Sequence, residues 1–360
     1  MCITCWLHTH LLQQKDLVPI REWFQTQNPT THAEKVFHIS KVKYCVMTNI
    51  PFKAEETCKW IATPNAPIDS VTSRFSASDV LPQTYDKTRF KTALRIDPLL
   101  KGDWDEISRC LTLHNLPLTL AGARSFLLAW ADVYQPEYLM CSTPEHFGYQ
   151  ETDPGLAHPP SKTENWFTAT ELIDQVMIPV SRQLNLPIAM KFGACRGMQH
   201  LLDPCGGGDG VTVANTLPLK RMCQLYPDVK FLVTFLSKVN QHEVCVMSQK
   251  FRNLHIYGCW WYLNNPSMIE SITRMRLELL GTAFTSQHSD ARVMDQIIYK
   301  WEHSRRVIAK ALVQQFSQLM TTGWVLTVDD VEKDVERLLG GAYEEFMGKT
   351  LTKSGAPPSL

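Results

Sequence analysis

The sequence has no excess of charge: Lys and Arg total 36, Asp and Glu total 36, and the formal net charge is zero. No basic run stands out, which speaks against nucleic acid or an anionic membrane as a partner. No apolar run reaches membrane-spanning length. The opening stretch MCITCWLHTHLL lacks the charged n-region and small-residue cleavage site of a signal peptide, so a cytoplasmic enzyme is the expectation. No Gly-rich phosphate loop follows the first predicted strand, which weighs against a doubly wound nucleotide-binding sheet. Repeats other than a βα period are missing, as are low-complexity tracts. The 11 Cys are odd in number and scattered, often in apolar stretches. That pattern suits reduced, buried thiols better than a disulfide framework. Cys2-x-x-Cys5 has no second pair beside it and is a weak zinc or redox signal.

What is present is a large apolar content, 44% of 360 residues, enough for one large barrel or two ordinary domains. Eight short apolar runs recur along the chain: Ile3–Leu7, Tyr44–Thr48, Thr92–Ile96, Tyr138–Ser142, Ile188–Phe192, Phe231–Leu236, Leu254–Cys259 and Ala283–Gln287. Helical patterns link most of them, as over 170–184 and 241–251. Asn265-Pro266 starts a helix, with Asn as cap and Pro in the first turn, and Gly281 ends it. Eight βα units in unbroken series predict an α/β fold, a (β/α)8 TIM-type barrel. A further amphipathic helix over 327–347 follows, with Asp329 and Asp330 favouring its N-terminal end. The expected organisation is one barrel domain over 1–349 with this extra C-terminal helix, and a frayed tail over 350–360. Irregular stretches over 63–88, 150–162 and 197–210 all follow strands, which in a barrel places them on the active-site face.

Polar residues cluster at the strand ends. His8 and His10 stand two apart, so a strand end points both to one face. Two His and a carboxylate make a common zinc shell, and barrel closure would bring Asp290 beside them. A chance or hydrogen-bonded His pair is the plain alternative. Asp290 can act as a general base, and Arg292 can hold a carboxylate or enediolate in a fork of hydrogen bonds. Equally, Ser289 or Asp290 would cap the next helix. Arg196 suits an anion site or a rim salt bridge. Of Trp260 and Trp261, one packs in the core and the other is a candidate platform for a sugar face. Asp209 follows three glycines, in a ligand loop or a plain turn. Arg95 and Asp97 share a strand face and read as a self-contained pair.

These residues carry a resemblance. The stretch CWWYLNNPSMIESITRMRLELLGTAFTSQHSDARVMDQIIYKWEHSRRVIA, together with FLVTFLSKVNQHEVCVMSQKFRN, KFGACR and the early HTHL, resembles the uronate (glucuronate) isomerase family, a divergent branch of the amidohydrolase superfamily. The resemblance implies a (β/α)8 barrel and aldose–ketose isomerisation of a hexuronate, of the D-glucuronate to D-fructuronate type, through a cis-enediol. It implies Zn2+ on His8, His10 and Asp290, proton transfer by Asp290 with Arg292, and substrate contacts at Arg196, Trp260 and His288, to which Asp209 is added from its loop. The partner implied is a small-molecule sugar acid, with a homo-oligomer left open. A metal-dependent hydrolase on the same barrel and a non-catalytic binding protein are the alternatives. The chain departs from the family in three places: the segment between the first two strands is short, Lys191 stands where many members have His, and the sixth strand lacks a metal-binding His.

Overall fold

The computed structural model describes residues 18–149, 167–205 and 207–351. The predicted first strand with His8 and His10, the Cys2-x-x-Cys5 pair, the loop over 150–162 and the end of the tail lie outside them. The chain divides into two compact units, one of residues 1–43 with 291–302 and one of residues 44–290 with 303–360.

In the smaller unit, the helices Val18–Gln25 and Pro29–Ser40 are described. Asn28 caps the second through its side-chain oxygen, which accepts from Thr30 and Thr31. His32 meets Asp295 at 3.0 Å.

The larger unit is built on six strands: β1 Cys45–Asn49, β2 Phe90–Arg95, β3 Leu139–Ser142, β4 Ile188–Phe192, β5 Phe231–Phe235 and β6 Leu254–Ile256. They hydrogen-bond in the order of the chain, and every pairing is parallel. A doubly wound sheet reverses its order at a switch point, whereas a barrel adds each strand beside the last. The unbroken order is therefore that of the predicted (β/α)8 barrel. Strands two to seven of the sequence reading correspond to β1–β6 within a few residues.

The predicted eighth strand, 283–287, is reduced to one parallel bridge between Tyr257 and Thr285. Gly258 donates to the Thr285 carbonyl at 2.8 Å and Thr285 to that of Ile256 at 3.0 Å. Beyond the bridge the partners change. The Gln287 side chain takes the Cys259 N–H at 3.0 Å. Ser286 gives its N–H and its hydroxyl to the Leu338 carbonyl, at 3.2 and 2.8 Å. Side-chain and tail contacts have replaced the ladder.

Helices cover the outside of the sheet. The helix predicted over 170–184 runs from Ala169 to Leu184 with a π turn at Ile173–Met177. Pro179 accounts for the turn: it has no N–H for the carbonyl four residues back. That carbonyl, of Gln175, is taken by Arg124 at 2.7 Å. The helix Pro266–Leu280 keeps its predicted ends, with Asn265 accepting from the Met268 N–H and Gly281 as the cap. Cys110, Cys141, Cys223, Cys245 and Cys259 are buried thiols.

Alternate strand residues face the inside. Ala93, Met140, Ala189 and Leu232 form one interior cluster there, closed from below by Phe346 with Tyr343 and Met347 beside it. The predicted C-terminal helix is in two pieces, and the second supplies this floor. Val328–Glu336 opens on a Thr327–Asp330 capping box, and Ala342–Gly348 follows a break at Gly340, whose φ is 145°. The floor is fastened at the N-terminal ends of the strands, where Lys230 bonds the Met347 carbonyl and Lys349 that of Arg252.

Candidate active site

Polar side chains gather at the opposite, carboxyl ends of the strands in the larger unit. Lys191 is the fourth residue of β4 and stands in register with Ser142 on β3 and Thr234 on β5. Alternation places all three on the inner face, one step beyond the apolar cluster. The Lys191 side chain is 14% exposed, and its ammonium lies 3.5 Å from the Asp290 carboxylate. It also sits over the Trp260 ring, 4.9 Å from the centre. Burial pulls the Lys191 ammonium below the ordinary lysine value; Asp290 opposes this, and the Arg95 charge adds to it.

Asp290 reaches this ammonium because its backbone turns. Its φ is 46°, in the left-handed region. An N-cap has extended backbone instead, and the next helix begins only at Asp295. The reading of Ser289 or Asp290 as that helix's cap is thereby corrected. Asp290 serves Lys191, not the helix.

Around this pair stand further groups. Arg95 holds Asp97 in a fork at 2.7 and 3.0 Å, the self-contained pair expected. Asp97 also accepts from the Ser142 N–H at 3.3 Å. The His288 ring is 5.2 Å from that of Tyr257, the inner-face residue just past β6. Burial pushes the Tyr257 phenol well above its ordinary value, with Tyr138, Cys141 and Asp290 adding to the shift. It stays a neutral donor. Gly258 makes the approach of His288 feasible: its φ is 68°, and a Cβ there would fall 2.0 Å from the ring. The turn is held from behind by Arg276, fully buried, which donates to the Gly258 carbonyl at 3.0 Å and to Gln241 at 2.8 Å. The Thr234 hydroxyl and the Trp260 indole N–H are buried without a hydrogen-bond partner among the described residues. Each such group costs about 1–3 kcal/mol unless a ligand or water completes it.

A second group lies on the rim. Arg196, 58% exposed, is paired with Asp209 and stacks over Trp261, 5.4 Å from its centre. Asp209 also accepts from the Gly197 N–H at 3.1 Å, and its carbonyl from the Tyr262 hydroxyl at 2.7 Å. Trp260 and Trp261 are 5.7 Å apart, which links this rim to Lys191. The salt-bridge alternative for Arg196 is the one observed. Arg292 belongs to the smaller unit, where it is exposed and its N–H donates to Gln296 at 2.9 Å. Asp290, Trp260 and His288 are thus gathered at the strand ends, with Arg196 and Asp209 beside them. Lys191, Tyr257 and Arg276 were not among the expected site residues.

This chain is similar to a uronate isomerase of solved structure from Bacillus halodurans, with 31% of residues identical, a TM-score of 0.77, and 94% of this chain and 73% of that chain covered. It belongs to the uronate isomerase family. Two other members have the same fold: a uronate isomerase from Thermotoga maritima (14% identical, TM-score 0.63, 87% of this chain and 69% of that one) and a glucuronate isomerase from Caulobacter crescentus (13%, 0.57, 90% and 68%). No family model and no curated protein matches the chain.

For a uronate isomerase with zinc on His8, His10 and Asp290, only Asp290 falls within the described residues. Among those residues no three His, Cys, Asp or Glu side chains are grouped to hold a metal. The carboxylate that would serve as ligand already faces an ammonium. Asp290 alone among the described residues does not make a zinc site.

Proposed function

We propose that this member of the uronate isomerase family interconverts the aldose and ketose forms of a hexuronate, of the D-glucuronate to D-fructuronate type, through a cis-enediol. The observation that carries the reading is the Asp290 carboxylate, presented at the strand ends against a buried cation. Proton transfer from a carbon next to a carbonyl needs a base that stays ionised within reach of it. Asp290 takes the proton from C2, the C–H electron pair becomes the C1–C2 double bond, and the carbonyl pair moves onto O1. Passage of the O2 proton to O1 and return of the proton from Asp290 to C1 yield the ketose. Arg292, which the resemblance pairs with Asp290, would stabilise the developing oxyanion. Trp260 and His288 would line the sugar. Zinc on His8, His10 and Asp290 rests on the resemblance alone.

The test is a panel of hexuronates with ketose formation as the readout, run on wild type and Asp290→Asn. The expected result is turnover of at least one uronate, with kcat lowered by about 10²-fold or more in the variant at unchanged Tm. Deuterium wash-in from solvent at the carbon beside the carbonyl should fall in parallel. Wash-in at the wild-type rate in Asp290→Asn would place the base elsewhere.

A further inference from the structure

We infer that Lys191 binds the substrate's carbonyl oxygen and helps to carry the negative charge of the enediolate, alongside the Asp290 base. The inference rests on the isomerase reading and adds to it a residue where many family members have His.

Three observations converge on this ammonium. First, it is placed by the fold: Lys191 is an inner-face residue of β4, in register with Ser142 and Thr234, and only 14% of its side chain meets solvent. A rigid strand in the middle of the sheet holds it where a flexible loop could not. Second, it has spare donors. An ammonium carries three N–H groups. Among the described residues its one hydrogen-bonding neighbour is Asp290 at 3.5 Å, with the Trp260 face on another side. Third, two buried polar groups without a partner flank it: the Thr234 hydroxyl next to it in register, and the indole N–H of the Trp260 ring it covers. Donors that a folded chain leaves unsatisfied beside a cation are where oxygen atoms of a ligand fit.

The position selects which oxygen. The base must reach C2–H, and the ammonium is within 3.5 Å of the base. Lys191 therefore lies at the reacting end of the sugar, not at its carboxylate. When Asp290 takes the proton from C2, the C2–H pair forms the C1–C2 double bond and the carbonyl pair moves onto O1. Lys191 holds that charge by hydrogen bonding and keeps its own proton. The proton on O2 then passes to O1. The O2 pair forms the new C2 carbonyl as C1 takes the proton back from Asp290. Atoms and charge balance, and no other reactant enters.

The experiment compares wild type, Lys191→Met, Lys191→Gln and Lys191→Arg on the uronate that wild type turns over. Lys191→Met should keep its Tm and lose kcat by about 10²–10³-fold, with KM changed far less, because the interaction forms mainly in the transition state. Deuterium wash-in at C2 should fall with kcat, and Lys191→Arg should recover part of it. If Met lowers Tm, Gln carries the same expectation, since it keeps an N–H without the charge. Loss of kcat only in proportion to loss of folded protein in both neutral variants overturns the assignment. So does a sugar adduct on Lys191 after borohydride treatment during turnover, since it would mean an imine instead of a hydrogen bond. Wild type active with Lys191→Met equally active overturns the assignment alone. Wild type inactive on every hexuronate overturns the isomerase reading and the assignment with it.

Discussion

Gly258 shows how a single missing methyl shapes the site. The chain must leave β6 with a positive φ of 68° and pass the His288 ring so closely that a Cβ would meet it at 2.0 Å. Gly258→Ala should therefore cost about 1–3 kcal/mol from backbone strain alone, with a further loss from displacing His288. Urea unfolding gives the first figure. A KM raised at modest change in kcat reports the second, because His288 would line the pocket and not move the proton. Single residues were unevenly legible. Asp290 stood out in HSDAR as a carboxylate at a strand end. Lys191 was just as visible, a lone charge inside IAMKF, but reading it needs the knowledge that the fourth residue of that strand faces inward. Arg276 gave no signal, since a helical arginine looks solvent-exposed until the turn at Gly258 is built over it.

At the scale of elements, the floor of the barrel is the part most exposed to a test. Phe346 packs under Ala93, Met140, Ala189 and Leu232 and lies 5.0 Å from the His255 ring. Phe346→Ala should cost about 3–5 kcal/mol, the usual range for emptying an aromatic site. Thermal melting would show it, and an unchanged Tm would mean that the floor is not part of the cooperative unit. The helix ends here were legible because capping is local chemistry: Asn265, Gly281 and the Thr327–Asp330 box need no distant partner. The break at Gly340 and the shrinkage of the eighth strand to one bridge were not. Both lie beside contacts between Ser286 and Leu338, 52 residues apart, which no periodicity reports.

For the molecule as a whole, acid is the sensitive direction. His255 is an inner-face residue of β6, stacked on Phe346 and bonded through Nε2 to the Thr285 hydroxyl at 2.9 Å. Burial, with the charges of Arg276 and Lys349 behind it, pushes its pKa down from 6.5 to about 3. In the unfolded chain it takes a proton near its ordinary value; in the folded chain it does not. The unfolded state then binds more protons, and stability falls as pH drops through that window. Going from about pH 7 to about pH 5 should remove about 2 kcal/mol through this group. Urea midpoints across that range should show the slope, and His255→Gln, which keeps an amide for Thr285, should flatten it. The barrel itself was legible in the sequence, since eight spaced apolar runs leave few alternatives. Closure of the first strand onto the 283–287 segment stays an expectation, because that first strand lies outside the described residues.

The floor has a consequence for how the chain comes into being. Synthesis proceeds from the N-terminus, and domains fold as units as they emerge. All six strands are complete by Ile256, but the residues that close their inner row from below, 342–348, are made well after them. Through the interval between, the nascent barrel is a cup with an open, apolar base. A chain truncated in that interval lacks the residues that cover the inner row and is expected to expose it, which makes such a product prone to aggregation.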